Sequence, residues 1–138
     1  MFEKKAKYLE FIQTIINRMA ECSFKCKEFC ILICSALLAV YGAVCPHPHI
    51  LLILCDVPIM LFWLLDAFYL KQEKGFRNTY NNKAILNDEK DFSDFRIKPN
   101  NENNSYCTSL FSKTILPLYL SLFLLATISG LILIVINK

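Results

Sequence analysis

Three apolar runs dominate the chain. Phe29 to Val44 carries no charge, Ile50 to Leu70 is interrupted only by Asp56 and Asp66, and Leu116 to Ile136 is again uncharged. A bilayer core of about 30 Å takes about 20 helical residues, so the second and third runs are long enough to span, and the first becomes so once its flanks are counted. Hydrophobic residues make up 55% of the 138, although the segment between the second and third runs is strongly polar. Only backbone that satisfies itself crosses lipid, and these runs have helical length. The expectation is an all-α integral membrane protein: a long helical hairpin with a cytoplasmic stem and two transmembrane spans, plus a third, C-terminal transmembrane helix.

The stem follows from periodicity. Between Glu3 and Glu28, Tyr8, Leu9, Phe11, Ile12, Ile15, Ile16, Met19 and Ala20 recur at helical spacing, and no Gly or Pro separates them from the first span. One helix of about 40 residues is expected, ended by Pro46 and Pro48 in "VCPHPH". The second span continues past Leu70 as "KQEKGFRNTY". The hairpin is assigned to 1–81, a cytoplasmic loop with a short strand pair at Ala84 to Leu86 and Asp94 to Ile97 to 82–108, and the third helix to 109–138. Pro117 falls in the first turns of that helix, where proline is tolerated.

Orientation comes from the basic residues. Six lie between Lys4 and Lys27, eight between Lys71 and Lys113, one is Lys138, and the turn from Cys45 to His49 has none. The N-terminus and the middle segment are therefore expected in the cytoplasm and the C-terminus outside, in the cell (inner) membrane. The net charge of +3 then matches anionic inner-leaflet lipid and gives no reason to expect nucleic acid. Six of the seven cysteines fall in cytoplasmic or intramembrane positions where thiols stay reduced; Cys45 alone faces the outer side.

An ionised aspartate is costly inside a span, which singles out Asp56 and Asp66. Asp66 lies about one turn inside the cytoplasmic end, either as an interfacial anchor paired with Lys25 or Lys27 or as part of an ion pathway. Asp56 lies two turns in from the outer side, at the level of Thr127 and Ser129, with Pro58 expected to kink its helix and free backbone carbonyls. Asp56, Pro58 and Asp66 are thus the pore or gating candidates. Along the stem, hairpin register sets Gln72 and Glu73 near Cys22 and Arg18, and Arg77 near Arg18 and Glu21. Arg18, Glu21, Lys25, Lys27, Glu73 and Arg77 are accordingly the ion-pair candidates, each exposed pair contributing about 0 to 1 kcal/mol.

Cys22, Cys26, Cys30 and Cys34 form a stripe of small packing residues or, alternatively, a thiol switch; four ligands on one rigid helix do not surround a metal. Cys45, His47 and His49 lack a fourth ligand and read as a turn. No metal or cofactor is expected. Ser35, Ala39 and Ala43, and Ala126 with Gly130, make small faces suited to close helix packing. With three glycines and no nucleophile or zinc motif, an enzyme is not expected.

Two stretches, "YLEFIQTIINRMAECSFKCK" (Tyr8 to Lys27) and "FWLLDAFYLKQEKGFRNTYN" (Phe62 to Asn81), resemble a family of small bacterial membrane proteins with two or three spans. The layout is similar to that of SLATT-type effectors of bacterial anti-phage systems. The resemblance implies a homo-oligomeric, pore-forming membrane effector that permeabilises or depolarises the cell when triggered by a cytoplasmic sensor protein or nucleotide signal. It places Asp66, Tyr69, Glu73, Arg77 and Arg18 in the stem. The third span departs from the simplest two-span pattern. No sensor domain of recognisable size is present, so the trigger comes from another protein or through the 82–105 loop. A non-conducting anchor or assembly subunit for a soluble partner and a phage holin-like protein are the alternatives.

Overall fold

The computed structural model describes residues 2–44, 48–85, 97–101 and 105–136. It consists of α1 (Phe2–Val44), α2 (Pro48–Ile85), α3 (Tyr106–Leu110) and α4 (Leu116–Ile136). Helix α1 runs unbroken for 43 residues, about 65 Å at 1.5 Å per residue, through both the charged stem and the first apolar run. Helix α2 begins at Pro48, where a fixed φ suits a helix start.

The second half of the hairpin is longer than expected. Ala84 and Ile85 extend α2 and form no strand. Leu86 and residues 94–96 lie outside the described residues, and Ile97 is irregular. The extension has local support. Lys83 occupies the last turn, where a cation favours the helix dipole. The Lys5 ammonium donates to the Ala84 carbonyl at 2.9 Å, satisfying one of the terminal acceptors.

Helix α2 is the central element, packed by α1 along its length and by α4 on its apolar half. Two cores result. In the stem, Tyr8, Ile12 and Ile16 are buried against Phe76, Tyr80 and Ile97. In the apolar half, Cys30, Cys34, Cys55, Ile59, Ala67 and Tyr119 lead a second core that continues through Ile115 and Ala126. Small side chains recur at these crossings, which lets helix backbones approach closely. The cysteine stripe takes this packing role: Cys26, Cys30 and Cys34 are buried and Cys22 half-buried.

After α2 the chain returns along the stem. Residues 97–101 lie on Gly75, whose carbonyl accepts the Asn100 N–H at 3.1 Å. Thr79 Oγ1 donates to the carbonyl of Lys98 (2.9 Å) or of Gly75 (3.1 Å) and accepts from the Asn100 N–H at 3.0 Å. A Cβ at Gly75 would overlap the Asn101 side chain and come within 2.9 Å of Pro99 Cβ. The chain then reaches α3, which Trp63 and Tyr106 fasten to α2. Trp63 Nε1 donates to the Leu110 carbonyl at 3.1 Å, and the Tyr106 hydroxyl to the Leu64 carbonyl at 2.5 Å.

Among the described residues one helix, over Ile53–Ile85, is long and apolar enough to cross a membrane. Only 22% of its most apolar window is buried within the chain, so this surface is not that of a core helix. Helix α4 offers a shorter apolar stretch, Leu116–Ile132.

Gly75→Val is expected to lift residues 97–101 from α2 and to cost about 1 to 3 kcal/mol, the usual range for overpacking. Hydrogen exchange at the Asn100 amide reports it: faster exchange in the variant is the expected result, and unchanged protection would refute the close approach.

Candidate functional site

Ser23 and Lys27 sit four residues apart on α1 and therefore share a face. That face meets Asp66 of α2. Lys27 Nζ lies 2.7 Å from Asp66 Oδ2 and donates to Ser23 Oγ at 2.8 Å, while the Ser23 hydroxyl donates to Asp66 Oδ1. The Asp66 side chain is 0% exposed and that of Lys27 19%. A buried carboxylate is tolerable only when paired and hydrogen-bonded, and here each oxygen has a partner. Tyr119 of α4 lies beside the same carboxylate, so the cluster joins three helices.

This geometry holds charge in place and is not set up for nucleophilic chemistry. Ser23 spends its proton on Asp66, and an ion-paired ammonium has no lone pair with which to act as a base. Cys26, just outside the apolar run, is held protonated: burial pushes its thiol up, and the nearby Asp66 adds to this.

The hairpin register selects one of the two expected partners and corrects another expectation. Of Lys25 and Lys27, Asp66 pairs with Lys27, while Lys25 bonds Glu21 at 2.8 Å on its own helix. The Lys25 ammonium lowers the Glu21 carboxyl below its usual range, and Glu21 in turn raises Lys25. Arg77 does not approach Glu21; it bonds Glu73 four residues earlier, at 2.8 and 2.9 Å. Arg18 is exposed, with no ion pair among the described residues. The reason is spatial. Apolar Tyr8, Ile12, Ile16, Phe76 and Tyr80 fill the seam between the helices, so exposed charges find partners one turn along their own helix.

Asp56 is half-buried, and its Oδ1 is enclosed without a hydrogen-bond partner. Ser129 and Thr127, expected to serve it, instead donate to the carbonyls of Ala126 (2.8 Å) and Leu124 (2.9 Å) on their own helix. A hydroxyl in a helix reaches the carbonyl a turn back more readily than a neighbouring chain. Pro58 sits within α2 two residues on and leaves the Leu54 carbonyl without its usual donor. Asp56 and Asp66 are ten residues apart, about 15 Å along the helix.

Of the small faces, Ala126 and Gly130 are buried, whereas Ser35 and Ala39 are exposed and take no part in packing within the chain. The side chain of Ala43 and residues Cys45 and His47 lie outside what is described. Among the described residues no group of His, Cys, Asp and Glu is arranged to hold a metal ion. Ser23 and Tyr119 are the site residues that sequence reading passes over. The signal for Ser23 is its spacing of four from Lys27; Tyr119 is the one tyrosine in the third apolar run.

Removing one partner of a buried pair leaves the other charge unpaired, so Lys27→Met or Asp66→Asn is expected to lower stability by about 3 to 5 kcal/mol. The double variant Lys27→Met with Asp66→Asn should lose clearly less than the two single losses together, read by unfolding of the detergent-solubilised protein. Strict additivity would contradict the pairing. No protein-family model, curated protein or solved structure matches this chain.

Proposed function

We propose that this chain is a multi-pass protein of the cell membrane, N-terminus in the cytoplasm and C-terminus outside, that assembles into homo-oligomers. A cytoplasmic sensor protein or nucleotide signal engages the stem, and the assembly then depolarises or permeabilises the membrane. The observation that carries this reading is the band of exposed apolar side chains on α2 and α4, including Leu61, Leu65, Leu124, Leu125, Ile128 and Leu131. Such a surface needs lipid or another copy to cover it. Trp63, Tyr106 and Phe111 cluster beside the cytoplasmic end of the second run, with Trp63 and Phe111 edge-to-face at 6.2 Å, as suits a membrane interface. Asp56 supplies a polar group where the spans are otherwise apolar. The role in anti-phage defence follows from the resemblance of Tyr8–Lys27 and Phe62–Asn81 to SLATT-type effectors.

A second reading, a non-conducting anchor for a soluble partner, is favoured by one observation. The hydroxyls of Ser35, Ser121, Thr127 and Ser129 are all spent on carbonyls of their own helices and do not line a wet path.

A potential-sensitive dye in expressing cells, with neighbouring genes and a phage challenge supplied, separates the two. The effector reading expects depolarisation by the wild type that Asp56→Asn abolishes at matched expression. An unchanged potential under those conditions would favour the anchor.

A further inference from the structure

Between α2 and α4 the apolar half opens into a groove of about 240 Å³, with Ile59, Met60 and Trp63 on one wall and Leu116, Leu120 and Phe123 on the other. Its lining is apolar: Trp63 spends its N–H on the Leu110 carbonyl, and the Tyr119 hydroxyl behind the wall is buried. Met60, Leu120 and Phe123 are exposed, so the groove opens on the flank of the helix pair. Leu116 to Phe123 covers about 10 Å of helix, inside the roughly 15 Å depth of one leaflet. The end of the groove at Trp63 and Leu116 meets charge. The N–H groups of Ile115 and Leu116 both donate to the Ser112 carbonyl, at 3.1 and 3.0 Å, so the chain already turns as a helix before α4 begins. Lys113 therefore stands one turn ahead of Leu116, on the stripe that continues through Leu120 and Phe123. Lys113 is exposed, with no ion pair among the described residues, and no acidic residue occurs from Ser105 to Lys138. Beside it the Ser112 and Thr114 hydroxyls lie 3.2 Å apart, each able to donate to an anion.

We propose that this groove seats one acyl chain of an anionic phospholipid of the inner leaflet, whose phosphate lies at Lys113 and the Ser112 and Thr114 hydroxyls. The inference rests on the membrane reading and its topology, and it holds whether the assembly conducts or only anchors. An apolar slot with a cation at its interfacial end has the polarity of such a lipid, hydrocarbon on one side and negative charge on the other. A zwitterionic headgroup brings its own cation beside the phosphate, so Lys113 favours a headgroup with net negative charge. Trp63 and Phe111, edge-to-face at 6.2 Å, sit where the headgroup region meets the acyl region, a level that amphipathic aromatic rings favour. The lipid then covers part of the exposed apolar surface that α2 and α4 leave open.

Trp63 is the only tryptophan in the chain and lines the groove, so its fluorescence reports the occupant directly. The full chain is reconstituted into vesicles of equal parts phosphatidylglycerol and phosphatidylcholine, with brominated acyl chains carried by one lipid class in one set and by the other class in a second set. Composition is then the same in both sets, and a difference in Trp63 quenching measures which lipid lies at the groove. Preference for the anionic lipid of about fivefold is expected, the factor for one lysine near an anionic surface. Lys113→Gln should bring it below about twofold. Lys98→Gln makes the same change in net charge on the exposed stem surface and should leave the preference intact. Circular dichroism confirms that both variants keep their helix content. Equal quenching by the two lipids, a preference that survives Lys113→Gln, or one lost equally in Lys98→Gln would overturn the site. Trp63 unquenched by either lipid, in a chain that co-floats with the vesicles, would mean that protein such as a second copy covers the groove; this overturns the site and leaves the membrane reading standing. A chain that does not co-float would overturn both.

Discussion

A carboxylate with no exposed surface imposes order on everything around it. Asp66 has to be neutralised and hydrogen-bonded; among the described residues Lys27 of α1 supplies the charge and Ser23 of α1 a hydrogen bond. That requirement fixes the rotation of α1 about its axis, since residues four apart must face α2 together. The same face then carries Cys26, Cys30 and Cys34 into the core in one direction and Ile16 and Ile12 in the other. Tyr119 brings α4 against the same point. The net stability such a pair adds is small, because a hydrophobic replacement of both partners is often no worse.

Below the pair, the stem is held by different physics. Its seam is apolar, its ion pairs run along single helices, and its exposed charges contribute little. The returning segment 97–101 depends on a missing side chain at Gly75 and on the Thr79 hydroxyl, which stands in for the backbone partners an irregular segment lacks. Through that segment, α3 and the anchoring Trp63 and Tyr106 contacts, the stem is tied to the start of α4. A change in the stem thus has a covalent and hydrogen-bonded route to the third helix.

Much of this was legible in the sequence. The unbroken 43-residue α1 followed from the lack of Gly and Pro before Gly42, and the burial of the cysteine stripe from its spacing of four. The partner of Asp66 was harder. Hairpin register read from a turn is good to about one helical turn, which leaves both Lys25 and Lys27 within reach of Asp66. Five of the six stem candidates form ion pairs, but all except Lys27 with other partners than register suggests, because sequence reveals which charges share a helix and not which residues fill the interface. Thr127 and Ser129 looked like partners for Asp56 because depth matched, whereas their own carbonyls lay closer. Ser23 and Tyr119 carry no distinctive signal, because a serine on a charged helix and a tyrosine among leucines have ordinary explanations.

In the proposed topology the Asp66 pair lies at the cytoplasmic boundary, with the stem, residues 97–101 and α3 on the inner side. Cys107, exposed on α3, tests that placement directly with a membrane-impermeant maleimide, used in a Cys45→Ser background so that the outer turn stays silent. Protection of Cys107 in intact cells and rapid labelling once the membrane is opened is the predicted result. Labelling in intact cells would invert the topology and remove the basis for a cytoplasmic trigger.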